Sequence, residues 1–263
     1  MSWSPPNVST PLHSLADEPR CDLAKVLAEV GAHAMEMTSN LENFTAQEKI
    51  EYGRWNQNGG LEENDSGIFD YVFAFEQRGE GRVSREYRTA AKGSRSFPAS
   101  GQDIGQVALG LIFLPKIQTD YDMNCEGLDK WKGQFAWVIH FQQRKDKPRR
   151  TLAFHTESGS YGAMLKGRAW ISMDAEQVLH IETNLMQDIP ALNLRSSAVV
   201  VDYAPVEIQS RKLELWLPQR VESYWEISAH RTVLYHTFSD FQLFTVDTQQ
   251  SQQKPVAEKQ KNP

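Results

Sequence analysis

The sequence predicts an α+β protein in which an antiparallel sheet is covered by two helices, and three observations support this. Residues 199–246 form runs in which apolar and polar side chains alternate. Because residues two apart share one face of a strand, this pattern predicts an antiparallel meander with one buried face. Residues 22–41 repeat their apolar side chains at helical spacing. Residues 98–115 are apolar nearly all round a second predicted helix.

The chain is predicted to form a single domain over residues 22–248. Its 263 residues are 40% hydrophobic and 10% aromatic, which is ordinary for a sheet-rich globular protein, and no Gly/Ser/Pro-rich linker divides the middle. Residues 1–21 are predicted to be a flexible lead, because residues 1–20 hold four of the twelve prolines and show no periodicity. Residues 249–263 are polar and low in complexity, which predicts a disordered tail.

The first helix is predicted to begin after Asp22, a residue type that caps helix N-termini. One apolar face follows it at three- and four-residue spacing: Leu23, Val26, Leu27, Val30, Ala34, Met37 and Leu41. A helix of this length is marginal in water by itself, so we expect it to dock on an apolar surface.

From Asn43 the period of the pattern changes to two, which predicts a strand over residues 43–55. Residues 56–67 are predicted to be a hairpin connection or a longer polar loop. A strand over residues 68–76 follows, with Phe69, Tyr71, Phe73 and Phe75 on one face. Residues 82–88 are more polar and suit an edge strand, where charges discourage pairing between sheets.

The apolar segment 98–115 is predicted to be an α-helix, with Ser100 as its cap and Asp103 in its first turn. Its apolar stripe is Ile104, Val107, Ala108, Leu111 and Ile112. Such a helix is either buried in a core or acts as a lid, here residues 101–114, over an apolar cavity. Core burial is the more common of the two.

The second half of the chain is predicted to continue the sheet. The predicted strands are residues 121–127, 134–143, 152–156, 167–172 and 177–185, with a turn framed by 129–130 and 132–133 and another at 174–176. Residues 134–143 alternate two apolar faces, Phe135, Trp137, Ile139 and Phe141 against Ala136, Val138 and His140. A strand with two apolar faces is expected to be central and covered on both sides.

The charge of the chain argues against a nucleic-acid partner. The net charge is −6 and the isoelectric point is near 5.7, whereas phosphate binding needs a basic surface. Lys145, Lys147, Arg149 and Arg150 form a small basic cluster that is predicted to be a solvated loop.

The compartment is left open by the sequence. Cys21 and Cys125 could form a disulfide or remain separate thiols. The first twenty residues do not combine a charged segment with an apolar run, so no export signal is predicted in the sequence as written, and a start further upstream would give the same pattern. No run approaches the roughly 18 apolar residues of a membrane span.

Local motifs of catalysis, nucleotide binding and metal binding are missing, so the sequence predicts no cofactor, no metal and no enzymatic activity. The strand-borne histidines His140, His180, His230 and His236 are the candidates for a site formed only in space. Two of them would have to share a face to hold a zinc ion, and a structural role is the alternative. Glu182 is either an exposed strand carboxylate or a base, and Asp240 is expected to lie in a turn or bulge.

A set of large apolar side chains is the candidate for ligand binding. Phe73, Trp137, Ile139 and Tyr203 are placed on the concave side of a curved sheet, and Leu111 and Ile112 come from the apolar helix that would close it. Such a surface either packs solid or encloses an apolar cavity.

The order of elements, a long amphipathic helix, a strand, a long hairpin, an apolar helix and then antiparallel strands, resembles the LolA-like outer-membrane lipoprotein carrier superfamily. The likeness spans residues 23–247. Residues 39–52 (SNLENFTAQEKIEY), 125–144 (CEGLDKWKGQFAWVIHFQQR), 166–183 (KGRAWISMDAEQVLHIET) and LWLPQRVESYW with YHTFSDFQLFTV also resemble uncharacterised envelope proteins of acidobacteria. The resemblance implies a strongly curved half-barrel, a location in the periplasm or cell envelope, and binding of acyl chains, lipoproteins or other apolar ligands.

The leading functional hypothesis is therefore non-enzymatic binding of an apolar small molecule, lipid or lipidated protein in the concavity of the sheet. One alternative is a protein-interaction or regulatory module with a solid core, which a large exterior apolar patch would favour. The other is a hydrolase or metal enzyme that uses the strand histidines, which requires His140, His180 or His236 to converge.

Overall fold

A computed structural model describes residues 2–10, 20–40, 43–78, 81–91, 107–149, 151–156, 159–208 and 212–244. The predicted N-terminal helix, α1, spans Leu23–Asn40. The Asp22 carboxylate accepts a hydrogen bond from the backbone N–H of Lys25 at 3.1 Å, as expected of a helix cap. Val26, Val30 and Ala34 are buried, so α1 docks through the predicted apolar face.

The described residues form twelve strands. They are β1 (Asn43–Trp55), β2 (Leu61–Arg78), β3 (Gly81–Ala90), β4 (Tyr121–Trp131), β5 (Gln134–Gln143), β6 (Ala153–Thr156), β7 (Gly159–Gly162), β8 (Leu165–Ser172), β9 (Val178–Leu185), β10 (Leu194–Ile208), β11 (Leu213–Ile227) and β12 (His230–Leu243). Ten of them form one antiparallel sheet in the order β3-β2-β1-β12-β11-β10-β9-β8-β5-β4. The sheet is curved and open, with β3 and β4 at its edges, so the predicted α+β half-barrel is confirmed.

The sheet has two distinct faces, which we call inner and outer. The inner face carries Phe44, Tyr71, Ile139, Ile181 and Val201, all essentially buried, and it packs against α1 in one large core. The outer face carries smaller apolar clusters, among them Ala136, Val138 and Trp170. One close approach supports this packing: a Cβ on Gly167 would lie 2.2 Å from the Phe141 ring.

The described part of the predicted meander, residues 199–246, lies in three long strands, β10, β11 and β12. Pro218 lies inside β11, where the register with β10 shifts by one residue, so a bulge accommodates a residue that cannot donate a ladder hydrogen bond. Ser228 and Ala229 join β11 to β12 at φ values of 48° and 68°, as in a two-residue hairpin turn. Asp240, at φ 54°, lies where the β12–β1 register shifts, and is therefore the bulge residue that was expected.

Two predicted connections are shorter than expected. The turn after β1 covers only residues 56–60, because the Asn56 side-chain oxygen accepts hydrogen bonds from the N–H groups of Asn58 and Gly60 at 3.0 and 2.9 Å. The polar residues 61–67 therefore belong to β2. Lys132 and Gly133, at φ values of 47° and 89°, make the turn between β4 and β5, and residues 129–130 continue β4.

The strand predicted at residues 152–156 does not join the main sheet. As β6, it pairs with β7 in a separate two-stranded sheet. Strand β5 is covered on both faces as predicted, with Ile139 and Phe141 inward and Ala136 and Val138 outward. It lies one strand from the edge of the sheet, because β4 completes that side.

The segment predicted to be an apolar α-helix has a different structure in its described part. Residues 107–113 form a 3-10 helix, Val107–Phe113, followed by a short helix α2, Pro115–Gln118. Pro115 restricts Leu114 to φ −58° and ψ 132°, which ends the first segment. Residues 98–106, with the predicted cap Ser100, lie outside the described residues, as do Phe75's side chain and the predicted tail 249–263.

The predicted N-terminal lead is described at residues 2–10 and 20–21, and its flexibility stays a prediction. Residues 2–10 run along the outer face, where Val8 is 1% exposed. The two cysteines form a disulfide between Cys21, just before α1, and Cys125 on β4. This bond ties the start of α1 to an edge strand.

Candidate functional site

The inner face of the sheet is covered by α1 and by residues 107–118, which we call the plug. Leu109, Ile112 and Phe113 of the plug are fully buried. The ring of Phe113 meets the ring of Phe141 on β5 edge-on, with centroids 6.5 Å apart. The concavity is thus occupied by apolar side chains from a short segment rather than by a second sheet.

A small set of hydrogen bonds connects the plug to its surroundings. The Gly110 N–H donates to the Tyr203 hydroxyl at 2.9 Å. The Gln118 side-chain amide donates to the carbonyls of Leu27 in α1, at 2.9 Å, and Phe113, at 2.6 Å. Burial raises the pKa of Tyr203, so its hydroxyl stays neutral at physiological pH. These bonds join α1, the plug and β10.

Two cavities follow the side of α1 that faces the turn between β8 and β9. A cavity of about 270 Å³ lies at the first turns of α1 and is lined by residues that include Lys25, Val26, Trp137, Ile171, Met173 and Glu176. A smaller apolar cavity of about 30 Å³ lies under the following turns and is lined by residues that include Val30, His33, Ala34, Val178, Tyr203 and Trp216. His33 Nε2 and Glu176 Oε2 are 3.6 Å apart and join α1 to the turn.

Five of the six residues predicted to line a cavity belong to the inner core or pack against it. Phe73, Ile139 and Ile112 are buried within it, and Leu111 is half-buried in the plug. Trp137 lines the larger cavity and Tyr203 the smaller one. The structure therefore brings this set together around a largely filled concavity, and ligand binding by these residues stays a prediction.

A buried ionic cluster on the inner face was missed at the sequence level. Glu48 is 0% exposed and accepts hydrogen bonds from Arg88 Nε at 2.7 Å and Arg88 Nη2 at 3.1 Å. His236 Nδ1 lies 2.8 Å from Glu48 Oε1, the oxygen that also accepts from Arg88 Nη2. The signal was present in β1, because Glu48 follows Phe44 and Ala46 in the inward register of that strand.

The charges in this cluster compensate one another. Burial alone would raise the pKa of Glu48, but the charge of Arg88 and the hydrogen bond from His236 outweigh it and hold the pKa below its ordinary value. Burial and the nearby Glu86 carboxylate raise the pKa of Tyr71 well above its usual range. The Glu48 carboxylate is therefore ionised at neutral pH, and the Tyr71 hydroxyl is neutral.

The histidines considered for catalysis do not converge. His236 is on the inner face beside Glu48, whereas His180 and His140 lie on the outer face and His230 is exposed next to Glu62. Within the described ranges, no group of three or more His, Cys, Asp or Glu side chains could hold a metal ion. The structure does not favour the hypothesis of a hydrolase or metal enzyme.

His180 has a structural environment on the outer face. Its ring stacks on Trp131 with centroids 3.7 Å apart, and Nδ1 lies 2.6 Å from an Asp202 oxygen. Glu182 lies 3.4 Å from Nε2. Burial alone would lower the pKa of His180, but the hydrogen bonds to both carboxylates outweigh it and raise the pKa. With only 2% of its surface exposed, His180 is closed to a substrate.

No family model and no curated protein matches this chain. Solved structures do. A DUF1329 family protein from Desulfovibrio piger matches at 11% identity and a TM-score of 0.46, over 85% of this chain and 94% of that chain. A putative outer membrane lipoprotein-sorting protein domain from Vibrio parahaemolyticus matches at 12% identity and a TM-score of 0.44, over 84% of this chain and 93% of that chain. The LolA superfamily protein NE2245 from Nitrosomonas europaea matches at 13% identity and a TM-score of 0.38, over 84% of this chain and 94% of that chain.

One of these structures is described as a LolA superfamily protein, the superfamily that the sequence resembles. Closeness to acidobacterial envelope proteins stays a prediction. Identities this low say nothing about ligands. Across the described parts of the chain, no helix has the length and apolar character needed to cross a membrane.

Proposed function

We propose that this protein is a non-enzymatic carrier that binds an apolar ligand, a lipid or the acyl chains of a lipidated partner on the inner face of its sheet. The observation that carries the proposal is the plug, because an apolar concavity is closed by a short segment with few polar ties. Phe73, Ile139 and Ile112 would contact the ligand once the plug moves, and Trp137, Tyr203 and Leu111 would border it. Burial of hydrocarbon supplies about 0.8 kcal/mol per CH₂.

Movement of α1 or the plug is part of this proposal. The 30 Å³ cavity under α1 has about the volume of one water molecule in the liquid. An acyl chain therefore cannot enter unless the cavity widens. The 270 Å³ cavity is just below the range of about 300–1,000 Å³ that is typical of ligand sites. We infer that a ligand enters beside the first turns of α1 and extends under the helix as the plug withdraws.

A cell-envelope location is part of the same proposal. The Cys21–Cys125 disulfide supports it, because disulfides persist in oxidising compartments and are rare in the cytosol.

Two substitutions on α1 test the site with a fluorescent probe, dansyl-undecanoic acid. Ala34→Leu places a larger side chain in the small cavity and should weaken probe binding at least about fivefold, since one pocket contact of this size is worth about 1–3 kcal/mol. Ala32→Leu makes the same change on the exposed side of α1 and should leave affinity unchanged. Fluorescence enhancement on titration measures both.

Native mass spectrometry of the wild-type protein, purified without detergent, provides an independent measurement. We expect acyl-lipid adducts that Ala34→Leu reduces and Ala32→Leu retains. If the wild-type protein neither enhances probe fluorescence nor carries lipid, the proposal is wrong.

A further inference from the structure

The outer face of the sheet holds residues 2–10 in a way that resembles recognition of a peptide. Asn184 on β9 makes two hydrogen bonds to the segment: its side-chain oxygen accepts from the Val8 N–H at 3.1 Å, and its side-chain nitrogen donates to the Pro6 carbonyl at 3.0 Å. The Tyr235 hydroxyl donates to the Ser2 carbonyl at 3.3 Å. These three hydrogen bonds are made to backbone groups, so they do not depend on the side chains of the segment.

Arg168 on β8 adds a buried charged contact. Its side chain is 4% exposed, pairs with Glu126, and donates from Nη2 to the carbonyls of Val8 at 3.3 Å and Thr10 at 2.8 Å. Hydrogen bonds from a charged donor are stronger than neutral ones. Because Glu126 neutralises the guanidinium, the groove suits an uncharged backbone rather than an anion.

Two side chains anchor the segment. Trp3 packs edge-on against Tyr224 with ring centroids 5.7 Å apart, and the Arg231 guanidinium lies 5.5 Å from the Trp3 ring. Val8, five residues later, is 1% exposed. An aromatic ring near a cation and a buried aliphatic side chain are typical anchors of a recognised peptide.

The segment does not fill the groove. A cavity of about 250 Å³ remains between it and the sheet, lined by residues that include Pro6, Asn7, Lys166, Leu185, Ser196 and Tyr224. Residues 2–10 contain no charged side chain and two consecutive prolines, which disfavour regular secondary structure. The segment ends in a turn, in which the Thr10 N–H donates to the Asn7 carbonyl at 3.3 Å. The groove therefore has room beyond what residues 2–10 occupy.

We propose that the outer face is a peptide-binding groove for an uncharged peptide that carries an aromatic anchor five residues before an aliphatic one and makes a turn at the aliphatic anchor. Residues 2–10 are its resident ligand. The groove lies on the opposite side of the sheet from the plug. It therefore gives the protein a second recognition surface that is independent of the proposed apolar site.

Anisotropy of a fluorescein-labelled peptide of residues 2–10, added to full-length protein, tests the groove. Val8→Asp in the protein places a carboxylate at a buried position and should release the resident segment, so the labelled wild-type peptide binds. Ser4→Asp makes the same charge change at an exposed position and should keep the segment in place. Wild type and Ser4→Asp should bind the peptide at least about tenfold more weakly, because a tethered competitor acts at millimolar effective concentration.

Substitutions in the peptide and at Asn184 test the specificity of the groove. A peptide carrying Val8→Asp should not bind, and one carrying Ser4→Asp should bind like the wild-type peptide. In the Val8→Asp protein, Asn184→Ala should weaken binding at least about fivefold through the loss of two hydrogen bonds, while Asn64→Ala, which removes an exposed amide on β2, should have no effect.

Thermal melting establishes that each variant is folded. Should Val8→Asp lack a cooperative melt, Trp3→Ala replaces it, since it removes an anchor without burying a charge. A folded released variant that does not bind the peptide, or that binds both peptides equally, overturns the proposal. Neither result alters the fatty-acid experiment, so the two proposals fail separately.

Discussion

The buried Glu48–Arg88 pair allows a sharp test of what stabilises the inner face. Arg88→Met keeps an aliphatic side chain of similar length on β3 and removes both hydrogen bonds to the Glu48 carboxylate. His236 remains beside one oxygen of that carboxylate. The variant therefore leaves the fully buried Glu48 carboxylate with His236 as its described partner. It also removes the 3.3 Å hydrogen bond from Arg88 Nη2 to Glu86, whose side chain is 1% exposed.

The expected loss follows from burial. Removing one member of a buried ion pair costs about 3–5 kcal/mol, because the other charge is left uncompensated. Glu48 is fully buried but the Arg88 side chain is 21% exposed, so water can reach the vacated space, and we expect a loss near the lower limit, about 3 kcal/mol. Arg54→Met is the matched control, because Arg54 is 36% exposed and its surface pairs with Glu62 and Glu63 are worth at most about 1 kcal/mol.

The pH dependence of the stability gives a second measurement, and the direction of the change is predicted. In the wild type, the pKa of Glu48 is lower in the folded protein than in the unfolded chain. The stabilisation that Glu48 gives the folded protein is therefore complete above the ordinary carboxyl pKa and is lost as the pH falls through the folded-state pKa. Without Arg88, burial dominates and raises that pKa, so the folded variant binds a proton more tightly than the unfolded chain. The stability deficit of Arg88→Met should therefore shrink between pH 7 and pH 5.

Urea unfolding at both pH values measures these quantities. The double variant Glu48→Gln/Arg88→Met should recover at least about 1 kcal/mol of the loss, since the buried Glu48 charge is gone. Recovery is partial, because the Glu86 carboxylate, 1% exposed, still lacks its hydrogen bond from Arg88. A loss below about 1 kcal/mol for Arg88→Met, or a deficit that does not change with pH, would refute the reasoning.

Two further predictions concern the disulfide and the outer face. The double variant Cys21→Ser/Cys125→Ser opens a covalent loop of sequence separation 104 and should lower the free energy of unfolding by about 2–5 kcal/mol, measured by guanidinium denaturation; an unchanged midpoint would contradict it. Asp202→Asn removes the main partner of His180, whose raised pKa gives stability that is complete below the ordinary histidine pKa and lost as the pH rises through the folded-state value. Thermal melting should show a smaller decline from pH 6 to pH 9 in Asp202→Asn than in the wild type, and identical profiles would exclude this role.

Most regular elements could be predicted because their patterns are local. The alternation in β1, β5 and β8 through β12 and the capped amphipathic helix α1 each result from side chains a few residues apart. Predictions were weaker where a distant contact decides the outcome. Residues 61–67 look like a loop by composition, yet they pair with β1, and residues 153–156 look like a sheet strand, yet they pair only with β7.

The candidate site was predicted in part for the same reason. The six apolar residues come from segments with clear periodicity, and five of them belong to or pack against one core. Ligand binding by the six residues stays a prediction. The partners of Glu48 come from strands 40 and 188 residues away in sequence, so no local pattern could pair them. Likewise, the docking of residues 2–10 depends on Arg168 and Asn184, more than 150 residues later.

The sequence by itself determined the class of this protein: an antiparallel sheet with one apolar face and an amphipathic helix to cover it, because hydrophobic periodicity is written in neighbouring residues. Tertiary structure alone decided that the concavity is filled by a short plug, that Cys21 meets Cys125, that the histidines lie apart, and that the N-terminal residues occupy the outer face. These outcomes depend on which distant strands become neighbours, and that is set by the free energy of the whole fold rather than by any one segment.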